Sequence, residues 1–256
     1  MVCADTTRLN KVADGRATVE LAKGLISEGV RGVILKPVGF SGDGEVVNAG
    51  ILSLFSDKSI PVVLVDSDAV RAPGRRGLDL IALDNFQAGC SLASHLIERR
   101  VRRIAFVARQ GYADSVRRRL AGVQSVAGTG NVDLLLANDC ANSGDLQSAF
   151  HNLRELDAVI CQNDVMAACV QKTLAQLGLS VPRDVLLAGF DDASLALSMR
   201  PRLTTIRQPC KEMASAAFQR LAERMRNPSM PATSILFQGE LMARGSTDIF
   251  RPKKVV

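Results

Sequence analysis

DAVICQNDVMAACVQKTLAQLGLSVPRDVLLAG, residues 157–189, decides how the rest of the chain is read. Its two ends, DAVICQ (157–162) and DVLLAG (184–189), are nearly continuous apolar runs, as expected of strands covered on both faces. Between them Met166, Val170, Leu174 and Leu177 recur at helical spacing over 164–177. Gly178 supplies a C-cap and Pro182 blocks continuation of the helix. This is a βαβ unit.

The same grammar repeats outward. Apolar runs stand at GVILKP (32–37), PVVLVD (61–66), LIALD (80–84), RIAFVA (103–108) and VDLLLA (132–137). Helical patterns lie between them, as at 13–28, which ends at Gly29, and at 86–99 with Leu92, Leu96 and Ile97. Repeated βαβ predicts an α/β fold with doubly wound parallel sheets. After 184–189 the alternation breaks down. A short helix (192–198), PRLTTIRQP, a long helix (211–226), and the runs SILFQ and ELMARGS follow, with Pro228 and Pro231 in a linker. Two parallel sheets, with a chain that crosses between them more than once, would produce such a tail.

Composition narrows the function. The 256 residues include 32 Lys plus Arg and 26 Asp plus Glu, a net charge of +6, with 47% apolar and 23% charged residues. Those are globular values, which exclude a disordered tail or a collagen-like fibre. No apolar stretch reaches the roughly 18 residues of a spanning helix, so no membrane segment is expected. MVCADTTRLNK lacks the basic and apolar regions of an export signal, and a cytoplasmic location is expected. Cys3, Cys90, Cys140, Cys161, Cys169 and Cys210 form no CxxC pair, and the only histidines are His95 and His151. No metal site and no cofactor are therefore expected, and the thiols read as buried small hydrophobes. The basic runs Arg99, Arg100, Arg102, Arg103 and Arg117, Arg118, Arg119 come without interleaved aromatics, so they do not make a nucleic-acid platform. KPVGFSGDGEVV (36–47) fits neither phosphate-loop pattern, since Val47 stands where GxGxxG needs its third glycine. No GxSxG elbow is present and neither histidine falls at a strand end, so no catalytic residue is assigned and no enzyme is expected.

In open α/β sheets ligands bind beyond the carboxyl ends of the strands. Those positions here hold Asp66 and Asp68, Arg109 and the 112–119 segment, Asn138 and Asp139, Asn163 and Asp164, and Asp191 and Asp192. Asp or Asn after a strand is commonly a helix N-cap, and Asp164 and Asn85 are read as caps. Recurrence at several strand ends points to a polar ligand with several hydroxyls or a carboxylate.

IPVVLVDSD, LDNFQAGCSLASHLIERRVRRIAFVA, SVRRRLAGV, AVICQNDVMAACVQKTLAQLGLSVPRDVLLAGFDDASLALSMRPRLTTIRQP and ELMARGST, in that order, resemble the LacI/GalR-type bacterial transcriptional regulators. The likeness covers their effector-binding core, which is similar to periplasmic sugar-binding proteins, over about Val2 to Ser246. It implies two Rossmann-like subdomains of the periplasmic-binding-protein-like type I, joined by three crossovers. These would be 1–85 plus 209–238 and 86–208 plus 239–250, with a tail at 251–256. A sugar-like effector would sit between them in a homodimer. The family's ligand contacts map onto Asp66, Ser115, Arg119, Asn163, Asp191 and Gln208. Arg119 would clamp a hydroxyl pair or carboxylate, and Asn163 and Asp191 would bond hydroxyls.

Two departures stand out. Where family members often place a stacking aromatic, after VDLLLA, this sequence has NDCANSG, and Cys140 takes that position. The sequence also starts near the family's second strand, so the first subdomain would lack its first strand and helix. Either a rearrangement or poor packing over 1–60 is expected for that reason. The chain offers no helix-turn-helix, which DNA reading requires, so operator DNA would be reached only through a headpiece not present in this sequence. A solute-binding protein of a sugar transporter is the alternative reading, and an enzyme on the same scaffold is a third.

Overall fold

A computed structural model describes residues 15–39, 43–70, 77–137, 146–148, 150 and 156–249. The chain divides into two compact units. The first is drawn from Met1–Ala82, Gly111–Ser115 and Cys210–Phe237, the second from Leu83–Gln110, Val116–Pro209 and Gln238–Val256.

In the first unit α1 (Gly15–Ser27), β1 (Val33–Leu35), α2 (Gly44–Asp57), β2 (Val62–Val65) and β3 (Asp79–Leu83) follow in turn, Leu83 already belonging to the second unit. Strands β1, β2 and β3 are parallel, with Val33 beside Val62 and Val63 beside Asp79. Successive residues of a strand face opposite sides of its sheet, so each strand needs two covers. On one side Val62, Leu64, Leu80 and Ala82 pack with Ala22 of α1 and with Ile51, Leu52 and Phe55 of α2. On the other, Val63 and Ile81 meet Ala217 and Leu221 of the helix Cys210–Arg226. Phe55 and Leu64 are essentially inaccessible, and such side chains contribute roughly 1.5–3 kcal/mol each. The poor packing expected over 1–60 is therefore not found in its described part. Burial of α1 and α2 against the sheet supplies the cover that was expected to be lacking, while residues 1–14 and 40–42 lie outside the described residues.

The second unit continues with α3 (Asn85–Glu98), β4 (Ile104–Arg109), α4 (Asp114–Ala127), whose first two residues belong to the first unit, and β5 (Val132–Ala137). Then come β6 (Ala158–Cys161), α5 (Asp164–Gln176), β7 (Leu186–Asp191), α6 (Ser194–Ser198) and β8 (Thr204–Arg207). The chain returns to the first unit for α7 (Cys210–Arg226) and β9 (Ser234–Phe237) and ends with β10 (Glu240–Met242) in the second. The sheet orders are β1-β2-β3-β9 and β10-β8-β7-β6-β4-β5, and β10 is antiparallel to β8 in an otherwise parallel second sheet. Ile104–Ala108, Ala158–Cys161 and Leu186–Phe190 are fully buried, as continuous apolar runs require. VDLLLA departs from that pattern. It forms the edge strand, and Leu134 and Leu136 on one of its faces are exposed.

Helix starts correct the sequence reading by one residue each. The N-cap of α3 is Asp84, whose carboxylate accepts from the Gln87 N–H at 3.0 Å. The N-cap of α5 is Asn163, which accepts from the Met166 N–H at 2.9 Å. Asn85 and Asp164 instead occupy the first helical position, turned inward and buried. The thiols also differ from expectation: Cys161 is buried, but Cys90 and Cys169 are half-buried and Cys210 is exposed at the start of α7.

Helices α3 and α4 cross at backbone contact. A Cβ on Gly89 would stand 2.1 Å from the Arg119 carbonyl oxygen, and one on Gly122 would stand 2.0 Å from that of Phe86. Only glycine allows the approach.

Candidate functional site

In the second unit β7 ends in Asp191 and Asp192 follows it, with φ values of +109° and +49° that lie where L-residues rarely go. Such backbone persists only when its surroundings over-determine it. The Asp192 carboxylate takes Arg244 at 2.6 Å and Arg207 at 2.7 Å. Burial pushes that carboxyl up, but the two guanidinium groups outweigh burial and hold it below the ordinary carboxylate range. Asp164 braces the next residue: its Oδ2 accepts from the Ala193 N–H at 2.8 Å, and its Oδ1 accepts from the Thr205 hydroxyl at 2.7 Å. The Thr205 oxygen in turn accepts from the Asp192 N–H at 3.3 Å. Burial pushes the Asp164 carboxyl up to about 6. Asp191 does not cap α6, whose N-cap is Ala193.

The turn so held presents the Asp191 carboxylate to two donors. Gln208 Nε2 donates to Oδ1 at 2.7 Å, and Arg119 Nη2 approaches the same oxygen at 3.5 Å. Arg119 is 4% exposed and lies with its guanidinium carbon 4.5 Å from the Phe190 ring centroid. Its Nε donates to Asn85 Oδ1 at 2.8 Å and its Nη1 to the Gln162 carbonyl at 2.6 Å. Gln162 is itself anchored, its side-chain oxygen accepting from the Arg109 N–H at 2.9 Å. A guanidinium has five N–H groups, so two remain for an outside acceptor among the described residues. A planar, prepositioned fork of this kind suits a diol or carboxylate.

Of the residues expected to bind ligand, Arg119, Asp191 and Gln208 come together in this one cluster. Asn163 follows Gln162 directly, with its side-chain oxygen committed to capping α5. Asp66 belongs to the first unit, at φ +74°, with Lys36 Nζ at 3.2 Å. Asn48 ties the loops after β1 and β2 there: its oxygen accepts from the Val38 N–H at 3.0 Å and its amide donates to the Ala69 carbonyl at 3.4 Å. Ser115 is buried in the first turn of α4. Cys140, like Asn138 and Asp139, lies outside the described residues. Sequence reasoning missed Asn85, Gln162, Phe190 and Lys36. Asn85 carried a signal, but the cap pattern absorbed it. Among the described residues no group of three His, Cys, Asp or Glu side chains could hold a metal ion, and no described helix is long and apolar enough to cross a membrane.

Two α/β units with these strand orders define a class, the periplasmic-binding-protein-like domains, and the model of that domain family matches residues 93–247. The transcriptional regulator reg1 of Streptomyces lividans, a helix-turn-helix type, is 31% identical over 245 residues, 91% of this chain and 69% of that protein. A LacI family regulator of Enterococcus faecalis V583, solved with bound ribose, superposes with a TM-score of 0.78 at 23% identity, covering 95% of this chain and 85% of that one. A periplasmic binding protein/LacI regulator of Alkaliphilus metalliredigens, complexed with D-xylulofuranose, gives 0.75 at 20% identity, covering 91% and 84%. The chain belongs to the LacI family of transcriptional regulators, through its periplasmic-binding-protein-like core.

Proposed function

We propose that this chain is the sensing core of a regulator: it binds a sugar or a related small polar metabolite, and binding shifts the population between two conformations that differ in operator affinity. The observation that carries this reading is the Arg119–Asp191–Gln208 cluster, in which Gln208 Nε2 and Arg119 Nη2 converge on one carboxylate oxygen of Asp191. Asp66, Ser115, Asn163 and Cys140 are proposed as further contacts. The proposed subdomains are 1–85 plus 209–238 and 86–208 plus 239–250. Operator DNA is contacted through a helix-turn-helix of the kind found in the relatives. The protein works in the cytoplasm and without catalysis; ribose and D-xylulofuranose in related structures support a sugar.

A thermal-shift panel of monosaccharides, sugar phosphates and purines tests this. A ligand at about 100 times its dissociation constant adds roughly 2.7 kcal/mol to stability. Arg119→Ala is expected to erase the shift while the protein stays folded. A panel in which nothing shifts the wild type, or an undiminished shift in Arg119→Ala, counts against the reading.

The same reading includes a homodimer. Val165 on α5 and Leu195 and Leu197 on α6 are exposed on two helices that pack together. Exposed apolar side chains that a partner chain could cover are where the dimer contact is proposed. Leu197→Asp is expected to convert dimer to monomer in sedimentation velocity; a wild type that sediments as a monomer ends the dimer proposal.

A further inference from the structure

Helix α3 meets Arg119 twice with one of its faces. Gly89 receives the Arg119 carbonyl oxygen, which would stand 2.1 Å from any Cβ there. One turn earlier, Asn85 Oδ1 accepts from Arg119 Nε at 2.8 Å. Residues four apart on a helix are neighbours on its surface, so 85 and 89 act on the same target. Backbone and side chain of Arg119 are thereby referenced to a single helix.

The orientation of the Asn85 amide follows from its surroundings. It is 2% exposed, and its nitrogen donates to the Leu83 carbonyl at 3.0 Å. With the nitrogen committed there, the oxygen has to face Arg119. A guanidinium is a rigid plane, so Nε held by Asn85 and Nη1 held by the Gln162 carbonyl fix the whole fork. The alternative is close at hand. Asp191 lies 3.5 Å from Nη2, longer than a good charge-assisted bond. An Arg119 released from Asn85 would swing toward that carboxylate and close a bidentate pair, which would consume the N–H groups left for a ligand.

We propose that Asn85 is a positioning residue of the effector site: it sets the plane of the Arg119 guanidinium and keeps the Arg119–Asp191 pair open. This rests on the sensing function proposed above.

The test has one arm that needs no ligand. In 15N spectra of the arginine side chains, the Arg119 Nε–H, identified by its loss in Arg119→Lys, is expected to exchange slowly in the wild type. Asn85→Ala should accelerate that exchange until the signal is lost, and Asn85→Asp, which retains an acceptor oxygen, should preserve it. Asn85→Leu keeps the volume without an acceptor and serves as a second variant should Asn85→Ala fail to fold. A protected Nε–H in a folded Asn85→Ala or Asn85→Leu protein overturns the proposal. The other arm is calorimetric titration with D-ribose. Asn85→Ala should weaken binding at least tenfold in the wild-type background and have no further effect in Arg119→Lys; an equal loss in both backgrounds overturns it. A wild type that ignores D-ribose counts against a ribose effector, and the exchange arm then decides the role of Asn85 by itself.

Discussion

Asp79→Ala is expected to lower the unfolding free energy by about 3–5 kcal/mol, the cost of removing one partner from a buried ion pair. Asp79 is 1% exposed at the start of β3 and is shared by two arginines of α7. Arg220 Nε donates to Oδ1 at 2.8 Å, Arg224 Nε to Oδ2 at 2.9 Å, and the Thr233 N–H to Oδ1 at 2.9 Å. The arginines go on to bind the linker after α7, Arg220 at the Pro231 carbonyl and Arg224 at those of Pro228, Pro231 and Met230. One carboxylate thus fastens a strand, a helix and a proline-bearing linker within the first unit. Its loss leaves two largely buried cations facing each other. Urea denaturation checks this against an internal control: Glu223 pairs with Arg220 from an exposed position, and Glu223→Ala should cost no more than about 1 kcal/mol. Equal midpoints for the two variants would refute the assignment.

Two buried titrating groups should give the variants opposite pH profiles. Burial, reinforced by the Arg99 charge, lowers the His95 imidazole from 6.5 to about 4. Its Nε2 is 2.8 Å from the Thr247 hydroxyl, which lies 2.7 Å from that of Thr204. Between pH 6.5 and 4 the unfolded chain takes up a proton that the native histidine refuses, so His95 leaves stability unaffected above 6.5 and lowers it as pH falls through that window. Asp164 runs the other way. Its native value of about 6 against 3.8 means that the native state holds a proton which the unfolded chain releases, and stability falls as pH rises through that window. Each effect amounts to about 3 kcal/mol, at roughly 1.36 kcal/mol per pH unit, and they offset one another between pH 4 and 6. His95→Gln should therefore lose stability as pH is raised from 4 to 6, whereas Asp164→Asn should gain it. Parallel profiles in denaturant melts would show that neither group titrates as described.

The strands were legible because their apolar runs are local and continuous, and because period-two burial demands nothing beyond neighbouring residues. The cluster was legible in part: Arg119, Asp191 and Gln208 belong to motifs that name their own positions. What stayed hidden depends on distance along the chain. Asp79 meets Arg220 across 141 residues and His95 meets Thr247 across 152, and no local pattern announces either. Asn85 and Asp164 were misread for a different reason. A polar residue at a helix start satisfies the cap pattern whether its side chain turns back to the helix or inward to the sheet, and only the fold distinguishes the two. The exposed face of VDLLLA follows from its place at the sheet edge, which a run of leucines cannot specify.

Asp66 and Asp191 both stand at positive φ, a backbone region that glycine occupies at lower cost. Heat resistance and recognition therefore pull these two positions in opposite directions. A variant library sorted only by survival at high temperature would drift toward glycine there, and its winners would be sturdy proteins that had forgotten their guest.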